Sequence, residues 1–203
     1  TRVTEIKIFA ESILFGNTLN EKLSAPADLV FSDTDLKSTL TSVPNFPGRP
    51  STLCQFGRHE FPSASQLKAD SSRGILLHFF ANHELLAMEL MALMLLRFPD
   101  APAAFRLGIA NTILEEQNHL KLYVDRMNDL GVGLGDIPVS RYFWDAISGM
   151  RSPLEFITQM SLTLEQANLD FSLYYRNLVQ QAGDEKTAAI LDRVYGEESG
   201  PGT

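Results

Sequence analysis

Residues 95–105 read LLRFPDAPAAF, a proline-bounded turn with a long apolar helical pattern on each side. Pro99 cannot continue a helix, so the pattern before it stops at Phe98, while Pro102 suits the first turn of the next helix. Upstream, the pattern begins at "DSS" (residues 70–72), any of which can serve as N-cap. Downstream, it runs to about Leu130 and ends on Gly131, a natural C′ residue. Two long helices joined by so short a turn form an antiparallel hairpin. The second half of the chain repeats the device. "SPLE" puts Ser152 at the N-cap, Pro153 at the first helical position and Glu155 three residues beyond the cap, opening a helix expected to persist to about Gln181. After "AGD", Asp184 caps a fourth helix, "EKTAAILDRVYGEE". A glycine-rich loop, "GVGLGDIP", and a short helix around 140–148 link the hairpins. The expected fold is all-α, with residues 70–203 forming an antiparallel four-helix bundle and no alternation of strands. Residues 1–69 offer an amphipathic helix near 5–14 and then chain rich in proline and glycine, expected to wrap the bundle as a strap within one compact domain.

A chain of 203 residues, 44% hydrophobic and 21% charged, is long enough for one well-buried domain. Its net charge of -8 argues against a non-specific grip on nucleic-acid phosphates, which needs a basic face. Cys54 is the only cysteine, so no internal disulfide forms and a reducing, cytoplasmic setting is the simpler expectation. It lies in a proline-rich loop with no base beside it in sequence and reads as an inert thiol. Residues 75–96 are apolar enough to raise the question of a membrane span. They also carry His78, Asn82, His83, Glu84 and Glu89, a polar load that fits a buried helix better, and no membrane association is expected.

On the second long helix the inward stripe runs Phe105, Ile109, Ile113, Glu116, His119, Leu120, Tyr123, Met127 and Leu130, at spacings of one, three and four. Glu116 and His119 therefore point inward. A lone Glu-x-x-His pair is weak evidence, its plain reading being a hydrogen-bonded core histidine. The other helices change that reading. The first carries Leu77, Ala81, Glu84, Met88, Met91 and Leu95 on one stripe; the third Ile157, Ser161, Glu165, Asn168, Ser172 and Tyr175; the fourth Leu191, Val194 and Glu198. Each helix thus offers one inward carboxylate.

Their heights can be compared, because each helical residue rises about 1.5 Å. Glu84 and Glu116 both lie about 21 Å from the "FPDAP" turn. Glu165 and Glu198 differ by only about 3 Å in their distance from the "AGD" turn. Glu89 is rotated about 140° from Glu84 and is the weaker candidate. Carboxylates gathered at one height in an apolar interior repel one another and lose solvation unless protonated or neutralised by cations. One Glu from each of two helices plus Glu-x-x-His from the others is the ligand set of ferritin-like dinuclear carboxylate proteins. Oxygen ligands with imidazole suit iron or manganese.

The segments "HELLAMELMALMLLRFPDAP", "EEQNHLKLY", "LEQANLDF" and "GDEKTAAILDRVYGEE" resemble the ferritin-like superfamily and, within it, the bacterial domain-of-unknown-function family 455, over most of the chain. "HELLAM…LLRFPD" with "EEQNHL" is also similar, more distantly, to the diiron hydroxylases that modify an isopentenylated adenosine in tRNA. The resemblance implies Glu84, Glu116, His119, Glu165 and Glu198 as metal ligands, with two iron ions, or manganese or a mixed pair, as cofactor. It also implies a second histidine three residues after Glu198, where this chain has Pro201 in "SGPGT". A native tail gives a site with one histidine; a trimmed or engineered tail leaves the second to the full-length protein.

The leading functional expectation is an O2-dependent oxidase or hydroxylase acting on a small molecule of unknown identity. Tyr123 is either a hydrogen-bond donor to the ligands or a plain aromatic, Asn168 and Ser172 are candidates to orient ligands or water, and His78 and His83 read as core histidines. Met88, Met91 and Phe80 would line a pocket or simply fill the core. The alternatives are iron or manganese handling of the ferroxidase type without organic substrate, and a scaffold with a degenerate site. A tRNA substrate follows from the distant resemblance alone, and a homodimer is compatible with all three.

Overall fold

A computed structural model describes residues 2–26, 28–37 and 40–200, and in it the chain is mostly helical. In chain order the elements are β1 (Arg2–Glu5), α1 (Ile6–Phe15), α2 (Leu19–Leu23), β2 (Leu29–Ser32), α3 (Asp70–Arg97), α4 (Ala103–Asp129), α5 (Tyr142–Ile147), α6 (Pro153–Gln159), a π-helical segment (Met160–Glu165), α7 (Gln166–Gln181) and α8 (Glu185–Glu198). Pro201, on which the question of a second histidine turns, lies outside the described residues.

α3 packs along α4 and α7 along α8, and contacts of α3 with α7 and of α4 with α8 bring the two hairpins together. Local chemistry places their ends. Gly131 (φ +80°) and Gly183 (φ +91°) take the left-handed conformation that ends α4 and α7. Ser152 Oγ accepts the Glu155 backbone N–H at 3.1 Å, although Glu155 turns its own carboxylate to the Arg151 N–H at 2.9 Å rather than closing a reciprocal box. At the start of α3 the expected serine or aspartate cap is absent: Ala69 occupies the N-cap, and Asp70 sits in the first turn, paired with Arg73, where a negative charge favours the helix dipole.

Two further departures concern the N-terminal region. It is not wholly helix and loop, because β1 and β2 form a small parallel sheet with Arg2 opposite Leu29 and Glu5 opposite Ser32. Val3 and Thr4 of β1 and Val30 and Phe31 of β2 are the β-branched and aromatic residues that suit a pleated surface. It also contains α2, whose Thr18 and Glu21 make a complete capping box. α1 packs against α3, and the strap is tied down by charge: Asp33 pairs with Arg106 of α4 at 2.8 Å, and Arg49 with Glu89 of α3 at 2.7 Å. α3 is therefore covered on every side rather than along one stripe, and every residue from 80 to 96 is buried. Its length and apolar composition would let it cross a membrane, but 89% of its most apolar window is buried inside the protein.

The third long helix differs most from expectation. Its buried residues are Phe156, Met160, Leu164, Asn168, Ser172, Tyr175 and Val179, while Ile157, Ser161 and Glu165 are exposed. Steps of four drift about 40° each on a straight α-helix, so four in a row would carry the stripe far around the cylinder. The π segment, closing i→i+5 hydrogen bonds, absorbs the extra residue. Upstream of Asn168, the inward face is shifted one residue from its α-helical register.

The two hairpins meet at Asp184. Its carboxylate accepts the Thr187 N–H (3.0 Å) and Oγ1–H (2.6 Å) on α8, Arg73 Nε from α3 (2.7 Å) and Arg126 Nη2 from α4 (2.9 Å). Burial alone would raise its pKa, but the Thr187 bonds and the Arg126 charge bring it down to about 2 from 3.8. A depressed carboxylate stabilises the fold above its unfolded pKa and loses that contribution as pH falls through the folded value. Asp184→Asn is accordingly expected to lose about 3 kcal/mol at neutral pH. The gap to wild type should narrow as pH falls from about 4 towards 2, read by urea unfolding at a series of pH values.

Candidate metal centre

Glu84 on α3, Glu116 and His119 on α4, and Glu198 on α8 each bring one ligand atom into a group whose members all lie within 4.8 Å of one another. Glu84 (1% exposed) and His119 (2%) are buried, and Glu116 and Glu198 are half-buried. The group lies at the wall of a cavity of about 200 Å3 whose apolar side includes Met91, Ile109, Phe156 and Leu164. Glu165 does not join it. The π segment turns Glu165 outward, where it is exposed at the rim of the same cavity, close enough for its charge to act on Glu198. Glu89, on another side of α3, is fully buried with Lys22 (3.2 Å) and Arg49 (2.7 Å) and belongs to a separate ion cluster.

The electrostatics follow from three carboxylates sharing a largely apolar space. Burial, and then the charges of Glu116 and Glu198, push the pKa of Glu84 well up. Glu198 is raised to about 8, by burial first and by Glu116 second. Glu116 goes the other way: burial would raise it, but hydrogen bonds from Glu84 and His119 outweigh that and lower it. A hydrogen bond between the carboxyl groups of Glu84 and Glu116 requires a proton on one of them, and these directions put it on Glu84. His119 loses stability as a cation by burial, yet its bonds to Glu116 and Glu197 raise it to about 9.

Two further residues hydrogen-bond to members of this group. Asn168 Nδ2 on α7 donates to Glu198 (2.8 Å) and more loosely to Glu84 (3.4 Å), and its inward direction was readable from its place on the stripe. Glu197, by contrast, was not read from the sequence. His119 turns Nδ1 to Glu116 (3.1 Å) within the group and Nε2 to Glu197 (2.8 Å) outside it, and Glu197 is itself held by Arg193 (2.9 Å). The only signal was the doubled "EE" at the end of α8, where neighbouring side chains diverge by about 100°.

Tyr123 is fully buried, its ring 5.8 Å from Phe80, and its Oη has no hydrogen-bond partner among the described residues. Burial, followed by the charge of Glu84, raises its pKa well above 10, so it remains a neutral donor beside the carboxylates. Ser172 Oγ is likewise buried without a partner among the described residues. His83 donates from Nε2 to the Leu164 carbonyl (3.0 Å), and His78 Nε2 accepts the Gly135 N–H (3.0 Å); burial lowers both pKa values to about 4. Met91 reaches the carboxylate cavity, whereas Phe80 lines a different one.

These features define a mostly helical protein that gathers carboxylates and an imidazole between two helical hairpins. Over residues 5–200 the chain matches the family described as protein of unknown function (DUF455), and it belongs to that family. Neither the curated proteins nor the solved structures contain a match to it.

Proposed function

We propose that the protein is a ferritin-like four-helix bundle whose Glu84, Glu116, His119 and Glu198 hold a redox metal, two iron ions or their manganese counterparts, and that it is an O2-dependent oxidase or hydroxylase of a small molecule. The observation that carries this reading is the convergence of four ligand atoms within 4.8 Å where the carboxylates otherwise share protons. A buried carboxyl group with a strongly raised pKa and no ion pair among the described residues is a poor structural element, and a cation removes the repulsion that raises it. The donor set fits hard, oxygen-preferring divalent ions. Three carboxylates and one imidazole would hold the metal, with Glu165 available across the cavity.

Iron held there would supply the redox chemistry by which dioxygen is reduced and a substrate oxidised. The chain's own residues do the rest. Glu197 fixes the imidazole through Nε2 and leaves Nδ1 for the metal side, Asn168 holds Glu198 and Glu84 in place, and Tyr123 offers a neutral O–H to the group. The apolar wall from Met91 to Leu164 limits water at the ligands.

The test is ferrous ion added without oxygen to metal-free protein, followed by air. Wild type should oxidise the iron faster than buffer does and His119→Ala should not; equal rates in the two proteins would remove the reading. Light scattering separates the enzyme from a storage protein, because storage requires a large closed shell.

A further inference from the structure

A second cavity, of about 580 Å3, lies beside the carboxylate cavity, and Asn168 lines both. Its volume is that of a small-molecule site, and its walls are aromatic. Phe61, brought in by the strap, already stacks flat in this wall, 4.2 Å and 15° from Phe79 and 5.4 Å and 17° from Phe171. The wall is therefore built of rings in nearly parallel planes, and a further flat ring can extend the stack.

The polar side chains of the cavity include three acceptors beside a donor, His78, whose Nε2 takes the Gly135 N–H and which therefore carries its proton on Nδ1. Asn82 is 7% exposed; its Nδ2 is committed to the Ser140 carbonyl at 3.1 Å, which fixes the amide and leaves Oδ1 without a partner among the described residues. Asn168 repeats the pattern, with Nδ2 on Glu198 and Oδ1 unpartnered among the described residues. His83 must carry its proton on Nε2 to bond the Leu164 carbonyl, so Nδ1 is a third acceptor. A ligand without donors leaves these groups unsatisfied, while one with an N–H or O–H on its edge completes them. The exposed lining residues Arg58 and Glu60 carry opposite charges, so the lining is not of a single sign.

We propose that this cavity is a binding site for a neutral, planar aromatic molecule bearing an N–H or O–H donor on its edge. The site stands on its own lining and needs no metal in the neighbouring cluster. Three probes of one size separate the requirements: 2-naphthol, flat with a donor; 2-methoxynaphthalene, flat without one; and decahydro-2-naphthol, with a donor but not flat. Each is titrated into the full chain by ligand-observed NMR, as purified and again after chelation.

The expected result is saturable binding of 2-naphthol with each of the other two at least about fivefold weaker, unchanged by chelation. Phe171→Ala, at an exposed position where folding is not at stake, should weaken 2-naphthol by about fivefold as well. Asn82→Leu should erase the preference for 2-naphthol over its methyl ether. Absence of saturable 2-naphthol binding, equal affinities for the three probes, or wild-type affinity in Phe171→Ala each overturns the proposal. Because binding is read with and without metal, failure of this site and failure of the metal reading are distinct results.

Discussion

Glu89→Ala is expected to remove about 3–5 kcal/mol of folding stability, read as a shift in the urea midpoint. Glu89 is fully buried and neutralises two buried cations, Lys22 from α2 and Arg49 from the strap. Arg49 meets it through Nε (3.0 Å) and Nη2 (2.7 Å), a bidentate match that an alanine cannot replace. Burial already pulls the pKa of Lys22 down, with Glu89 opposing it, so removing Glu89 leaves Lys22 and Arg49 facing each other. The Lys22 carbonyl also accepts from Gln117 of α4, which extends the loss to the seat of the strap on both helices of the first hairpin. Glu84, five residues earlier on α3, provides the contrast. It is as deeply buried but faces carboxylates, so Glu84→Gln in metal-free protein is expected to cost nothing or to stabilise by about 1 kcal/mol. Equal losses from both substitutions would show that Glu84 is an ordinary structural group.

Manganese(II) at about a hundredfold excess over its Kd is expected to stabilise wild type by about 2.7 kcal/mol. For a chain of this size, that corresponds to a rise in Tm of about 5–11 °C. The gain arises because the ion binds the assembled ligands and not the unfolded chain, where Glu84, Glu116 and Glu198 are far apart along the sequence. His119→Ala should lose it, as should Glu116→Ala. Glu115→Ala should keep it, because Glu115 is exposed beside Glu116 and outside the group. A rise of the same size in all four proteins would place the binding elsewhere.

The hairpins were legible because their ends are written in local chemistry. Gly131, Ser152 with Pro153, and Asp184 each act within a few residues of themselves, and the structure places each where its chemistry directs. Thr18 and Glu21 act just as locally, but "TLNE" lies inside a segment whose proline and glycine content reads as loop. The meeting of Glu84 with Glu116 followed from a turn that fixes both heights. Glu165 failed for the opposite reason. Its direction depends on one extra residue taken up by the π segment, and a stripe of spacings three and four runs through that segment without marking it. Arg49 reaches Glu89 across forty positions of irregular chain, and no periodicity records such a contact. The burial of α3 on all sides has the same origin, since α1 and the strap cover its back from a distance in sequence.

Elemental analysis of protein produced with iron and manganese supplied tests the metal reading most directly. The expected result is bound metal approaching two ions per chain in wild type and background levels in Glu84→Ala and His119→Ala. Wild type holding no more iron or manganese than those two variants would contradict it.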